Sequence, residues 1–120
     1  MKLYGLRVFV DDLDAAREFY ATTLGLPVLW DLEPMGAVGF DLGATLIVER
    51  ADPADAEQVA LIGRFVGVSI EVADLEQTYR SLTAAGVVFE GPPEAQAWGG
   101  TLAHFRDPAG NVLTLLGGTG

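Results

Sequence analysis

The sequence predicts an α+β fold built from two tandem βαβββ modules, and three observations support this prediction. A branched, alternating stretch is followed by a stretch of helical period at 3–25 and again at 65–86. The second pattern repeats the first at a constant distance, because the pair Asp74-Leu75 lies 62 residues after Asp12-Leu13. Three short strand candidates follow each helix. Two copies at this long interval indicate an internal duplication and not a solenoid.

Module one opens with a predicted strand at 3–10, LYGLRVFV, rich in aromatic and branched side chains. The following helix begins at Asp11 or Asp12, either of whose carboxylates can accept from a free N–H of the first turn, and stops at Gly25. Glycines separate the strands predicted after the helix, which lie at 27–33, 37–42 and 45–50.

Module two repeats this order, with the strand FVGVSIEV before a helix that runs from its cap Asp74 to Gly86. Its later strands are predicted at 87–90, 100–106 and 111–116. A four-stranded sheet with one helix cannot bury its apolar face alone, so the eight strands are expected to share a core. We expect one domain over 1–120, with module one at 1–50, a linker at 51–64 with room for a helical turn, and module two at 65–120.

Composition excludes several classes of function. Seven Lys and Arg against seventeen Asp and Glu give a net charge of −10, which repels nucleic acids and anionic membrane surfaces. The chain has no cysteine, so disulfides, thiolate zinc sites and a cysteine nucleophile are impossible, and its single histidine excludes sites that need two imidazoles from one chain. Charges interrupt every apolar stretch before 18 residues, and we expect a soluble cytoplasmic protein.

Three segments carry a family resemblance: VDDLDAAREFYATTLGL at 10–26, VADLEQTYRSLTAAGV at 72–87 and WGGTLAHFRDPAGNVLTLL at 98–116. The last contains a turn in which Pro108 suits the corner and Gly110 and Asn111 suit positive φ. With these motifs the chain resembles the vicinal oxygen chelate superfamily, which includes glyoxalase, bleomycin-resistance proteins, fosfomycin-resistance enzymes and extradiol dioxygenases.

The resemblance implies that the sheets of the two modules curl into a cup, with the helices outside and a small-molecule ligand inside. It also implies a homodimer, which unpaired edges of open sheets independently favour. Whether the modules pair within one chain or across the dimer stays open.

Metal-dependent members of this superfamily hold a divalent cation with His, Gln or Glu on the first strand of each module and an acid on the last. Counted from the motifs, the equivalent positions here are Gly5, Gly67, Thr114 and Ile47. A shift of two residues in module one would bring Glu49 to the last of these. One acid is too few for such a site, so we expect no metal and no other cofactor.

Strand alternation and the resemblance together predict which side chains line the cup, because residues two apart on a strand face the same way. Leu102 and His104 are expected inward, with Phe105 against the helix, and Trp98 at the rim. The predicted ligand-binding residues are His104, Trp98, Leu102, Arg7, Glu49, Ser69, Glu71 and Thr114.

Each candidate also has a purely structural interpretation. A strand glycine such as Gly5 or Gly67 can mark a bulge or a close approach of two backbones instead of space for a ligand. Arg7 can form a structural ion pair, His104 can be a hydrogen-bonded rim residue, and Trp98 can fill a gap in the core. Trp30 and Phe40 are assigned to packing.

We consider three alternative functions for this set of residues. The first is a metal-free small-molecule-binding protein, similar to the bleomycin-resistance branch, that holds a planar or cationic compound. The alternative is a divergent lyase or dioxygenase-like enzyme in which His104 or Glu71 acts as acid or base. A third is an accessory module whose surface matters more than its cavity.

Overall fold

Two β-sheets, of four and five strands, dominate the structure of residues 1–118, which is a computed structural model. The chain divides into two compact units. The first comprises Met1–Arg64 together with Pro108–Asn111, and the second comprises Phe65–Asp107 together with the chain from Val112. The fold class is the mixed α+β class that the sequence predicts.

The elements of module one are β1 (Gly5–Val10), α1 (Leu13–Glu18) with its π-helical turn (Phe19–Thr23), β2 (Val28–Leu32), a 3-10 turn (Glu33–Met35), β3 (Ala37–Leu42) and β4 (Ala44–Arg50). The strands form a sheet of order β1-β4-β3-β2, in which β1 and β4 are parallel and the other neighbours antiparallel. The helix changes from α to π geometry at Phe19, and the 3-10 turn joins β2 to β3.

The core of module one lies between α1 and one face of its sheet. Asp12 caps the helix by accepting a hydrogen bond from the Ala15 N–H at 3.0 Å, which settles the choice between Asp11 and Asp12. The helix then presents Tyr20 to Phe40 of β3, with 5.7 Å between ring centroids. Both rings are fully buried, so Phe40 packs as predicted. The linker contains a short helix, α2 (Ala56–Ala60).

The elements of module two are β5 (Phe65–Glu71), α3 (Leu75–Ala84), β6 (Val88–Phe89), β7 (Glu94–Ala95), β8 (Thr101–Arg106) and β9 (Val112–Gly117). The strands form a sheet of order β5-β9-β8-β6, with the short strand β7 also paired to β8. The helix α3 is capped by Asp74, as predicted. On the helix side, Tyr79 contacts Phe89 edge-on, with 4.8 Å between ring centroids, and Phe89 contacts the fully buried Phe105.

Two details differ from the sequence prediction. The additional strand β7 gives module two five strands, because Glu94–Ala95 pairs with β8 in a segment predicted as loop. The prediction of positive φ at Asn111 is wrong, since only glycines have positive φ among the described residues. Gly110 takes the left-handed conformation of the turn at φ 88°, while Asn111 is fully buried and uses its amide for hydrogen bonds.

None of the helices described between residues 1 and 118 is both long and apolar enough to cross a membrane.

Candidate ligand-binding site

A polar row crosses module two on the sheet face opposite α3. Strand pairing sets Ser69 of β5 beside Thr114 of β9, and Thr114 beside His104 of β8. Directly paired residues project to the same side, so the three side chains share a face. Phe105, the next residue on β8, faces the helix instead, as strand alternation predicts.

His104 is held in one orientation by two neighbours. Its Nδ1 lies 2.8 Å from the Oγ1 of Thr114, a residue that is 3% exposed. The ring of Phe65 approaches the imidazole edge-on, with 6.0 Å between ring centroids. Nε2 has no hydrogen-bond partner among residues 1–118. The half-buried imidazole therefore has one ring nitrogen available for a ligand or a proton.

A cavity of about 300 Å³ opens beside His104 in module two. Its floor is the middle of β8, and its wall is the segment that connects β6 through β7 to β8. The lining residues are Glu90, Gly91, Pro92, Glu94, Gln96, Leu102, Ala103 and His104. Only Leu102 and His104 among them are predicted from the sequence to bind a ligand. Proline and glycine identify the wall as a connecting segment, but nothing local in the sequence indicates which strand it pairs with.

The wall is tied to the floor by backbone hydrogen bonds. The Glu90 N–H donates to the carbonyl of His104 at 2.9 Å, and β7 pairs with β8 so that Glu94 lies opposite Leu102. Past β7, the Gln96 N–H donates to the carbonyl of Gly100 at 2.8 Å. These bonds give the wall a fixed register against β8 without help from a ligand.

Glu71 and Trp98, also predicted as ligand-binding residues in module two, do not line this cavity. Glu71 is exposed at the end of β5 and pairs with Leu116, which in turn pairs with Leu102. Trp98 is 63% exposed, and its indole lies across Gly100, where an added Cβ would come within 2.2 Å of the ring. Its contact is thus with its own loop and not with the core.

The two module-one predictions form an ion pair with each other. Arg7 donates from its guanidinium to both carboxylate oxygens of Glu49, one of them at 3.0 Å, and lies 5.3 Å from the ring of Phe9. The hydrogen bond with Glu49, followed by its charge, raises the pKa of Arg7 above its ordinary value. Arg7 therefore forms the ion pair that its structural interpretation proposes.

Trp30 lies in the same cross-strand row as Arg7. Along this row Arg7 pairs with Ile47, Ile47 with Gly39 and Gly39 with Trp30. A Cβ at Gly39 would stand 2.4 Å from the indole, so the ring lies flat on the glycine. The half-buried indole is packed as predicted.

The backbone geometry explains why the first strand of each module has a glycine, at Gly5 and at Gly67. A Cβ at Gly5 would stand 2.2 Å from the carbonyl oxygen of Thr45, since β1 and β4 approach closely at this pair. Gly67 has φ 79° where the pairing of β5 with β9 shifts register between Phe65 and Ser69. These are the close approach and the bulge that strand glycines commonly mark.

The residues at the family's metal positions do not fit a divalent cation. Strand pairing makes Ile47 the module-one equivalent of Thr114, because Ile47 pairs with Arg7 as Thr114 pairs with Ser69. Two glycines, an isoleucine and a hydroxyl offer at most one weak oxygen ligand. Across residues 1–118 no three His, Asp or Glu side chains gather in a metal-binding arrangement.

A family model and a curated relative both match nearly the whole chain. A model of the Glyoxalase/Bleomycin resistance protein/Dioxygenase superfamily matches residues 3–115. The protein YraH of Bacillus subtilis strain 168 is 34% identical, over 96% of this chain and 97% of its own length.

Two solved structures extend this agreement to the fold. A superfamily member from Sphaerobacter thermophilus DSM 20745 has a TM-score of 0.82 and 30% identity, covering 98% of this chain and 97% of that one. TnmS3, an antibiotic binding protein from Streptomyces sp. CB03234, has a TM-score of 0.78 and 26% identity, covering 99% and 97%. With its sequence and its fold both matched along nearly the whole length, the chain belongs to the Glyoxalase/Bleomycin resistance protein/Dioxygenase superfamily.

Proposed function

We propose that this protein binds a small organic compound, planar or cationic, in the module-two cavity, and that it needs no metal ion to do so. The observation that carries the proposal is the cavity beside His104, whose imidazole is oriented by Thr114 and keeps Nε2 available. A concave site with apolar and a few convergent polar groups is typical of small-molecule binding. The similarity to an antibiotic binding protein supports the same class of function.

Native mass spectrometry of freshly purified protein tests this proposal, because it detects bound organic molecules, bound metal and chain stoichiometry together. We expect an organic adduct that His104→Ala weakens, and binding that is unchanged after chelator treatment. A stoichiometric metal ion required for binding would contradict the proposal.

One observation favours a second function, that of a divergent lyase or dioxygenase-like enzyme. His104 lies at the cavity with one nitrogen held and the other available, which is the arrangement a general acid or base needs. In many catalytic histidines a carboxylate binds one ring nitrogen and orients the ring. In His104 the hydroxyl of Thr114 takes that place at Nδ1. Glu71, at the end of β5, is the other candidate acid or base. Turnover of a bound compound that His104→Ala abolishes would favour this function over binding alone.

We also propose that the chain is one domain, that it acts as a cytoplasmic homodimer, and that it binds no nucleic acid. Strand β2 supports the dimer, since it lies at a sheet edge and its Val28, Leu29 and Leu32 are 45–51% exposed. The strongly acidic composition supports the absence of nucleic-acid binding. A single cooperative unfolding transition is the expected result for one domain.

A further inference from the structure

The lining of the module-two cavity carries carboxylates and, among the described residues, no lysine or arginine. The carboxylates are those of Glu90 and Glu94. Arg106 binds Glu90 with 2.7 Å between a guanidinium nitrogen and a carboxylate oxygen. The charge of Glu90 is therefore balanced within the protein, and Glu90 does not by itself favour a charged ligand.

Glu94 is the unbalanced carboxylate. Between residues 1 and 118 its side chain makes no ion pair and no hydrogen bond, and only its backbone carbonyl accepts, from Nε2 of Gln96 at 3.0 Å. The pairing of Glu94 with Leu102 sets both side chains on one face of the sheet. His104 is two residues from Leu102 on β8 and shares that face.

The face therefore combines an apolar floor, an imidazole with an available nitrogen and a carboxylate without a counter-ion. An anionic ligand would add like charge to a wall that already carries the exposed carboxylate of Glu94, whereas a cation would be attracted to that carboxylate.

We propose that the cavity selects ligands with a positively charged nitrogen, and that Glu94 is the residue that determines this selectivity. The inference rests on the proposed binding function. The planar or cationic ligand of that function is thereby restricted to a cationic one, and Glu94 is the residue that selects it.

Three acridines of matched shape and different charge test the proposal: cationic 9-aminoacridine, neutral acridine and acridine-9-carboxylate, titrated by fluorescence at mildly alkaline pH. The wild-type protein is expected to bind the cation most tightly and the carboxylate least. Glu94→Gln is expected to weaken 9-aminoacridine binding about two- to fivefold and to leave acridine binding unchanged. The difference between cation and neutral probe should shrink at high salt, which screens charges near solvent.

Glu57→Gln is the matched control, because Glu57 is exposed in the first turn of α2 and its replacement removes the same single charge. This variant should bind all three probes as the wild type does. Glu94→Lys should reverse the order and favour the carboxylate probe. Melting curves of each variant establish that it is folded before the titrations are compared.

The outcomes separate the two proposals. Equal affinity for cation and neutral probe, or equal effects of Glu94→Gln and Glu57→Gln, would overturn the charge selectivity and leave the binding function standing. No binding of any of the three acridines would overturn the selectivity, and a freshly purified protein without an organic adduct would in addition contradict the binding function.

Discussion

The Nδ2 of Asn111 donates a hydrogen bond to the backbone carbonyl of Phe9 at 2.9 Å, although the two residues are 102 positions apart. The Oδ1 of the same side chain accepts from the N–H groups of Gly63 and Arg64 at 2.9 and 3.2 Å. One fully buried amide thus joins the end of β1 to the end of the linker. Burying an amide costs free energy unless its hydrogen bonds are made, so these partners account for its position.

Asn111→Ala is expected to lower the free energy of unfolding by about 1–3 kcal/mol, because it removes the hydrogen bond to the carbonyl of the buried Phe9 and those from the N–H groups of Gly63 and Arg64. Urea denaturation measures this loss. Gln77→Ala is the control, since Gln77 is exposed on α3 and the loss of its amide should change stability by less than about 0.5 kcal/mol. Equal effects of the two substitutions would show that the buried amide contributes little.

Much of the fold can be predicted from sequence because its signals are local. The caps Asp12 and Asp74 stand directly before helical periods, and strand alternation assigns His104 and Phe105 to opposite faces. Asn111 shows why other features cannot be predicted. Its preference for turns is a local property, whereas its hydrogen-bond partners lie 47 to 102 positions away and exist only in the folded chain.

The cavity wall is the part of the site that the sequence does not predict. Strand β7 has two residues, too few to show alternation, so Glu94 carries no local sign of its pairing with Leu102. In module one the limit of sequence analysis is a different one. Alternation places Arg7 and Glu49 on one face, but it does not show that they bind each other instead of a ligand.

Thr114→Val is expected to weaken ligand binding about two- to tenfold by releasing the imidazole of His104, since a hydrogen bond contributes about 0.5–1.5 kcal/mol. The shape of the side chain is retained, so the effect should come from the missing hydroxyl. His104 is the only histidine of the chain, and its ring nitrogens can be assigned unambiguously in ¹⁵N NMR spectra. An unchanged spectrum in the variant would contradict the positioning role of Thr114.

The two tryptophans are expected to respond differently to substitution. If an aromatic ligand stacks on the exposed indole of Trp98, Trp98→Leu should weaken the free energy of binding by about 0.5–1.5 kcal/mol. The same substitution should change the free energy of unfolding little. Trp30→Leu should mainly lower stability, because its indole packs flat on Gly39. Ligand titrations and thermal melts of both variants measure these effects. Ligand affinity unchanged in Trp98→Leu would exclude Trp98 from the site.

Sedimentation equilibrium at micromolar concentrations is expected to give twice the chain mass of 12.7 kDa. The expectation rests on the exposed apolar side chains of the edge strand β2. Leu29→Lys should shift the equilibrium toward monomer if that edge takes part, because a charge on an edge strand opposes pairing. Wild-type protein that sediments as a monomer throughout this range would contradict the homodimer.

Gly5→Ala is expected to destabilise module one by about 1–3 kcal/mol, because the new methyl group would occupy the position of the Thr45 carbonyl and force β1 and β4 apart. The carbonyl belongs to a paired strand and cannot move away as a flexible side chain would. Gly91→Ala is the matched control. A Cβ at Gly91 meets no described atom within 4 Å, and Gly91 lacks the positive φ at which alanine is strained. Urea denaturation of both variants measures the difference. Equal stability would show that the strands can separate without cost, and Gly5 would then be free to accept a larger side chain, a metal-binding one included.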